Sequence, residues 1–206
     1  MSLRDITRMQ GTWIMSSLIR QRLQESIKAK EALLADEALI QRISEVAEVM
    51  AESLKRGGKL LLCGNGGSAS DALHFAGEIV GRFQMERSSW PAVVLNADVA
   101  SMTAVANDYG YDEVFARQVQ AFMKPEDVLV GISTSGNSRN VLRAIEATRT
   151  TGGCTVALLG KDGGAIKDMV DYSIVVPNEC TARVQECHIT IIHILCELIE
   201  LKMQEG

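Results

Sequence analysis

The chain has 206 residues, 47% of them hydrophobic, and a formal net charge of −5. That hydrophobic share supports a sizeable core and excludes a disordered chain, while the negative balance argues against a general nucleic-acid surface. Five cysteines, an odd count with no CxxC pair, favour a reducing compartment over a disulfide framework.

In chain order, residues from about 17 to 35 and from 36 to 56 read as two helices. Leu18, Leu23 and Ile27, then Ile40, Ile43, Val46, Ala47 and Met50, recur at helical spacing, and Gly57-Gly58 stops the second. Apolar runs at 59–63, 92–96, 127–132, 154–159 and 172–177 read as strands. Helices fill 68–82, 99–106, 112–122, 138–151, 163–170 and 181–203. The strand runs are continuously apolar, as expected when both faces of a sheet are covered, so the expectation is an α/β fold with a parallel sheet flanked by helices. One domain spanning 1–206 follows, with an N-terminal helical extension at about 17–56 and an α/β core at about 57–203. The wide apolar stripe of the first helices serves either an intramolecular cover or another subunit. No signal-peptide core and no membrane-spanning run is present, which leads to a cytoplasmic expectation with no membrane partner.

Two loops carry the chemical signal. Cys63-Gly64-Asn65-Gly66-Gly67-Ser68 follows the first apolar run, and Ser133-Thr134-Ser135-Gly136-Asn137-Ser138 follows the third. Each reads as strand, then a loop of Gly, Ser, Thr and Asn, then helix. Glycines let the backbone approach an anion, and a helix N-terminus offers unpaired N–H groups and a positive dipole end. Hydroxyls add donors without charge. Together the loops suggest a pocket for a small phosphorylated ligand at the carboxyl ends of the strands; ordinary turn and capping chemistry would use the same residue types. The first loop also reads as Gly64-x-Gly66-x-x-Ala69, a variant of the dinucleotide fingerprint. No acidic ribose partner is placed after 92–96 and no GxxxxGK[ST] occurs, so no nucleotide cofactor is expected.

His74 and Glu78 lie four apart on the helix leaving the first loop and share a face. The other two histidines, His188 and His193, sit on the last helix with Gln185. On an ideal helix Gln185 and His193 are separated by about 80° and about 12 Å. His188 leaves on a different side from His193, in a largely apolar setting, where a hydrogen-bonded core histidine competes with an acid, base or metal role. Arg82, Arg87 and the pair Asn107-Asp108, read as a loop, serve either as surface and turn residues or as holders of sugar hydroxyls.

The run from Cys63 to Ser68, with Asp71-Ala72-x-His74-Phe75-Ala76, Glu78 and Gly81-Arg82-Phe83, resembles the sugar isomerase (SIS) fold family, and within it the bacterial phosphoheptose isomerases. Gly131 to Ser138 resembles that family's second loop. Lys161-Asp162-Gly163-Gly164, Arg183-Val184-Gln185-Glu186-x-His188 and His193 complete the pattern, which runs from about 20 to 203. The resemblance implies a SIS-type three-layer sandwich with a five-stranded parallel sheet, a homotetramer with sites between subunits, and conversion of sedoheptulose 7-phosphate to D-glycero-D-manno-heptose 7-phosphate on the way to lipopolysaccharide heptose. It implies that Ser68, Ser133, Thr134, Ser135 and Ser138 bind phosphate, with Asn65, Gly66 and Gly67 beside them. It makes Glu78 the base and His193 the acid. Arg82, Asn107, Asp108 and Gln185 match positions near the substrate. His74, Glu78, Gln185 and His193 match zinc-binding positions of some members. Ala69-Ser70 and Ala182 depart from residues that some members carry. A related group that binds the bacterial replication initiator without catalysis is the alternative; its members typically lack the equivalents of Glu78 and His193, both present here.

Overall fold

The computed structural model describes residues 3–204, with side chains from residue 14 onward. Five parallel strands form one sheet in the order β2-β1-β3-β4-β5: β1 Leu60–Gly64, β2 Ala92–Val94, β3 Val128–Ser133, β4 Cys154–Gly160 and β5 Tyr172–Val176. Leu60, Leu61 and Leu62 pair in register with Val128, Leu129 and Val130. β1 and β3 are buried along their whole length, which is why neither alternates polar with apolar residues.

Successive side chains of each strand feed two separate cores, as a period of two requires. Leu60, Leu62, Val130, Val156, Leu158 and Ile174 pack against α2 (Glu37–Lys55), α3 (Gly67–Val80) and α7 (Thr181–Gln204). Leu61, Cys63, Leu129, Ala157 and Leu159 pack against α5 (Ala116–Phe122) and α6 (Arg139–Thr148), with α4 (Val99–Tyr109) at the margin. The result is the expected three-layer sandwich. Each fully buried leucine contributes roughly 1.5–3 kcal/mol. All five cysteines are free, and Cys63, Cys187 and Cys196 act as small buried hydrophobes.

The strand order reverses between β1 and β3. The chain leaving β1 enters α3 on one face, and the chain leaving β3 enters α6 on the other, so a crevice opens at their carboxyl ends. Asn96 secures this edge beyond the short β2: it accepts from Gly64 N at 3.2 Å and donates to Gly64 O at 2.7 Å.

Several boundaries differ from expectation. α1 spans Leu3–Leu34 rather than starting near residue 17. The helix expected at 112–122 is a 3-10 turn, Tyr111–Glu113, followed by the shorter α5. The stretch 163–170 is 3-10 rather than α, entered through Gly163 and Gly164, both at positive φ. Asn107 and Asp108 are not in a loop: they lie in the last turn of α4, which ends only at Gly110, where φ is 92°. Arg183 binds α1 to α7, donating to Arg22 O at 3.0 Å and pairing with Glu25 and Glu186. The outward side of α1 leaves Met15, Leu18, Ile19, Leu23 and Ile27 exposed. Among the described residues, no helix is long and apolar enough to cross a membrane.

Candidate active site

The loop after β1 turns through Gly66, at φ 56°, directly into α3. A side chain is rarely tolerated at that φ, which is why glycine stands at the turn. Ser68 is buried in the first turn of α3. In the second loop Gly136, at φ 64°, packs so closely on Gly163 that any side chain would collide. Ile166 N donates to Gly136 O at 3.0 Å, and Ala165 N to Asn137 Oδ1 at 3.0 Å, so the segment after β4 buttresses the loop after β3.

Three hydroxyls converge at the end of β3. Ser133 Oγ lies 2.9 Å from Ser138 Oγ and 3.5 Å from Ser135 Oγ. Ser138 occupies the N-cap of α6, yet its side chain makes no capping bond. Simple capping therefore does not account for this serine: its hydroxyl faces the crevice cluster instead of its own helix. Thr134 is half-buried in the same loop. The two loops are joined by an amide pair, in which Asn65 Nδ2 donates to Asn140 Oδ1 at 2.8 Å and Asn140 Nδ2 returns a bond to Asn65 Oδ1 at 2.9 Å. Tyr111 Oη is a second donor to Asn65 Oδ1, at 3.0 Å. Asn140 was not singled out in the sequence; its signal is a buried amide on an otherwise apolar helix face.

α3 and α7 lie side by side and run in the same direction. Gln185 packs its carboxamide on Gly67, His193 meets His74, and Glu200 meets the chain just after α3. Along this seam His74 Nε2 is 3.1 Å from Glu78 Oε1 and 3.1 Å from His193 Nε2. Phe83 stacks on the His193 ring at 5.5 Å between centroids. One ring nitrogen carries one proton or one lone pair, so His74 Nε2 cannot serve both neighbours well through protons alone. Two imidazole nitrogens and a carboxylate oxygen, all within 4.8 Å of one another, form a donor set that suits a zinc ion.

Gln185 lies at the loop end of the seam, with its carboxamide against Gly67. Arg82 is exposed and pairs with Glu86 at 3.5 Å. Asn107 donates to Asp108 at 2.9 Å on the exposed end of α4. Within one chain, neither Arg82 nor the Asn107–Asp108 pair makes a hydrogen bond or ion pair to the histidine cluster. His188 is the core histidine of the two alternatives: it is fully buried, with Nε2 at 3.0 Å from Leu159 O, and burial pushes its pKa down. Asp71 lies one turn before His74; burial raises its carboxyl to about 6, against the opposing pull of His74.

An α/β sandwich with glycine and hydroxyl loops at its switch point is the architecture of the SIS domain, and the profile of the SIS domain family matches residues 24–160. The phosphoheptose isomerase of Geobacter sulfurreducens is 52% identical over 185 residues, covering 90% of this chain and 97% of the relative. A solved phosphoheptose isomerase from Neisseria gonorrhoeae superposes with a TM-score of 0.85 at 43% identity, covering 91% of this chain and 99% of the other. That of Francisella tularensis gives 0.87 at 39% identity, covering 91% and 98%. The chain belongs to the phosphoheptose isomerase family. These relatives favour the isomerase reading over the replication-initiator alternative.

Proposed function

We propose that this chain is an aldose–ketose isomerase converting sedoheptulose 7-phosphate to D-glycero-D-manno-heptose 7-phosphate, an early step towards lipopolysaccharide heptose. The observation that carries this reading is the α3–α7 seam: it starts at the phosphate-type loop and leads to a cluster in which His74 lies between the Glu78 carboxylate and His193. The Ser133, Ser135 and Ser138 hydroxyls, Thr134 and the N-terminal N–H groups of α3 and α6 hold the phosphate, with Asn65, Gly66, Gly67 and Ser68 lining the same mouth. Glu78 lies about 15 Å of helix rise beyond Ser68. That separation suits a long linear sugar phosphate better than a triose phosphate.

Isomerisation moves a proton between C1 and C2 through an enediol. One carboxylate on a single face can take the proton from one carbon and return it to the other. Glu78 fills that role, and His193 exchanges protons with the sugar oxygens. Phe83 holds the His193 ring flat and excludes water from one side. His74, Glu78 and His193 would hold a zinc ion, which supplies Lewis-acid stabilisation of developing negative charge on the sugar oxygens. Gln185 was expected as a fourth ligand; its place against Gly67 supports a substrate contact better.

The site is completed in a homotetramer, where Arg82, Asn107 and Asp108 approach the sugar from subunit boundaries. The exposed apolar side of α1 supports this assembly. The test is turnover: purified protein incubated with sedoheptulose 7-phosphate should yield the aldose, followed by NMR. No turnover, together with tight binding to the replication initiator, would overturn the reading.

A further inference from the structure

Glu200 is almost fully buried at 2% exposure, far along α7 from the serine loops. Its carboxylate accepts four bonds: from Phe83 N and Arg87 Nε at Oε1, and from Gln84 N and Met85 N at Oε2, each 2.9 Å. Three consecutive backbone N–H groups and a guanidinium thus close around one anion. Arg87 is itself spent on the end of α3. It donates to Glu78 O at 2.8 Å and to Ile79 O at 3.0 Å, and its guanidinium stacks on Trp90 at 3.6 Å.

Both ends of this clamp lead to the reacting groups. Phe83, whose N–H is held, stacks on His193. Glu78, whose carbonyl is held, presents the carboxylate beside His74. Glu200 lies seven residues beyond His193 on α7, two turns along one face. A carboxylate used only for stability would need neither connection. The loop from 81 to 91 has no regular structure of its own; the clamp holds residues 83–87, and Trp90 N, donating to Ile79 O at 3.4 Å, holds its far end.

We infer that Glu200, acting through Arg87 and the backbone of residues 83–85, is a positioning residue that sets the Phe83–His193 stack and the C-terminal turn of α3 for proton transfer. This rests on the assignment of Glu78 and His193 to proton transfer. Glu200 touches no substrate atom and lies away from the phosphate loops. Its loss therefore acts on the chemical step and leaves phosphate anchoring in place.

The test compares Glu200→Gln, Phe83→Leu and the double variant, with sedoheptulose 7-phosphate as substrate and thermal melts alongside. Displacing a reacting group by a fraction of a residue length lowers rate by roughly 10–100-fold. The expected result is a fall of that size in kcat for Glu200→Gln with KM within twofold of wild type. Phe83→Leu falls comparably, and the double variant falls no further than the worse single variant, because both remove the same constraint. Independent, multiplicative losses overturn the inference, as does a lowered melting temperature with unchanged kcat. If Glu200→Gln fails to fold, Phe83→Leu decides alone: unchanged kcat overturns it, and a tenfold fall at constant KM supports it. Glu78→Gln is the separate control: full turnover by that variant sinks the proton-transfer assignment, whereas unchanged kcat in the Glu200 and Phe83 variants sinks only this inference.

Discussion

Asn65 and Asn140 exchange two amide hydrogen bonds across the crevice, one from the loop after β1 and one from the first turn of α6. The pair ties together two segments that depart to opposite faces of the sheet, so it fixes the width of the mouth proposed to take phosphate. Asn140→Ala leaves the Asn65 amide short of both bonds, at a cost of roughly 1–3 kcal/mol. The variant should show lower stability in a urea melt and weaker sugar phosphate binding by calorimetry. Wild-type values in both would show that the loops are held apart by other contacts.

Ser138 offers a second test. Its hydroxyl makes no capping bond, so Ser138→Ala should leave the melting temperature of α6 and the whole chain nearly unchanged. Removing one hydrogen bond to a charged group should weaken phosphate binding by roughly 1.5–3 kcal/mol. Ser135→Ala should behave likewise. Calorimetry with inorganic phosphate and with the sugar phosphate separates the loop from the rest of the pocket; retained affinity in both variants places the phosphate elsewhere.

Glu78→Gln preserves size and hydrogen bonding but removes the basic oxygen. General-base loss costs about 10²–10⁴-fold in rate. Incubation with substrate in heavy water, with deuterium at C1 and C2 followed by NMR, should show exchange suppressed to that degree while phosphate binding persists. Exchange at the wild-type rate in a folded variant would exclude Glu78 as the carrier.

The donor set of His74, Glu78 and His193 predicts metal in protein purified without chelator. Elemental analysis should find zinc, and His74→Ala should lower its content. Chelation followed by zinc addition should restore both metal content and activity. A metal-free preparation with full activity would leave these three groups as an acid–base cluster only.

The Glu200 clamp predicts a pH signature in stability. Burial alone pushes its carboxyl up, but the Phe83, Gln84 and Met85 N–H groups and Arg87 outweigh it, so the folded pKa lies below the usual value. A lowered folded pKa contributes stability that is present above the unfolded value, about 4.3, and is lost as pH falls through the folded one. The gap in melting temperature between wild type and Glu200→Gln should therefore be steady from pH 8 to 5 and narrow below about 4. A gap that widens in acid would contradict the charged clamp.

The strands were legible because their leucine and valine runs have one structural use, a sheet covered on both faces. His74 and Glu78 were legible because four-residue spacing fixes a shared helix face. The end of α4 was not: Asn107 and Asp108 carry turn chemistry, but Gly110 sets the stop. The meeting of His193 with His74 was legible only through the family resemblance, since spacing within α7 says nothing about which helix lies beside it. The Glu200 clamp was invisible for the same reason. A glutamate in a run of apolar residues marks burial, but its donors come from a loop more than a hundred positions earlier.

The side-by-side course of α3 and α7 makes the proposed catalytic centre a matter of phase. Each helix contributes a row of side chains, and chemistry arises only where the two rows come into step. Inserting a single residue between Gln185 and His193 would turn everything downstream by about 100° and slide it by about 1.5 Å. His193 would then leave His74, while Gln185 kept its seat on Gly67. The mouth and the reactive end are thus separately adjustable, and point substitutions can retune either one, but a change in spacing uncouples them at once.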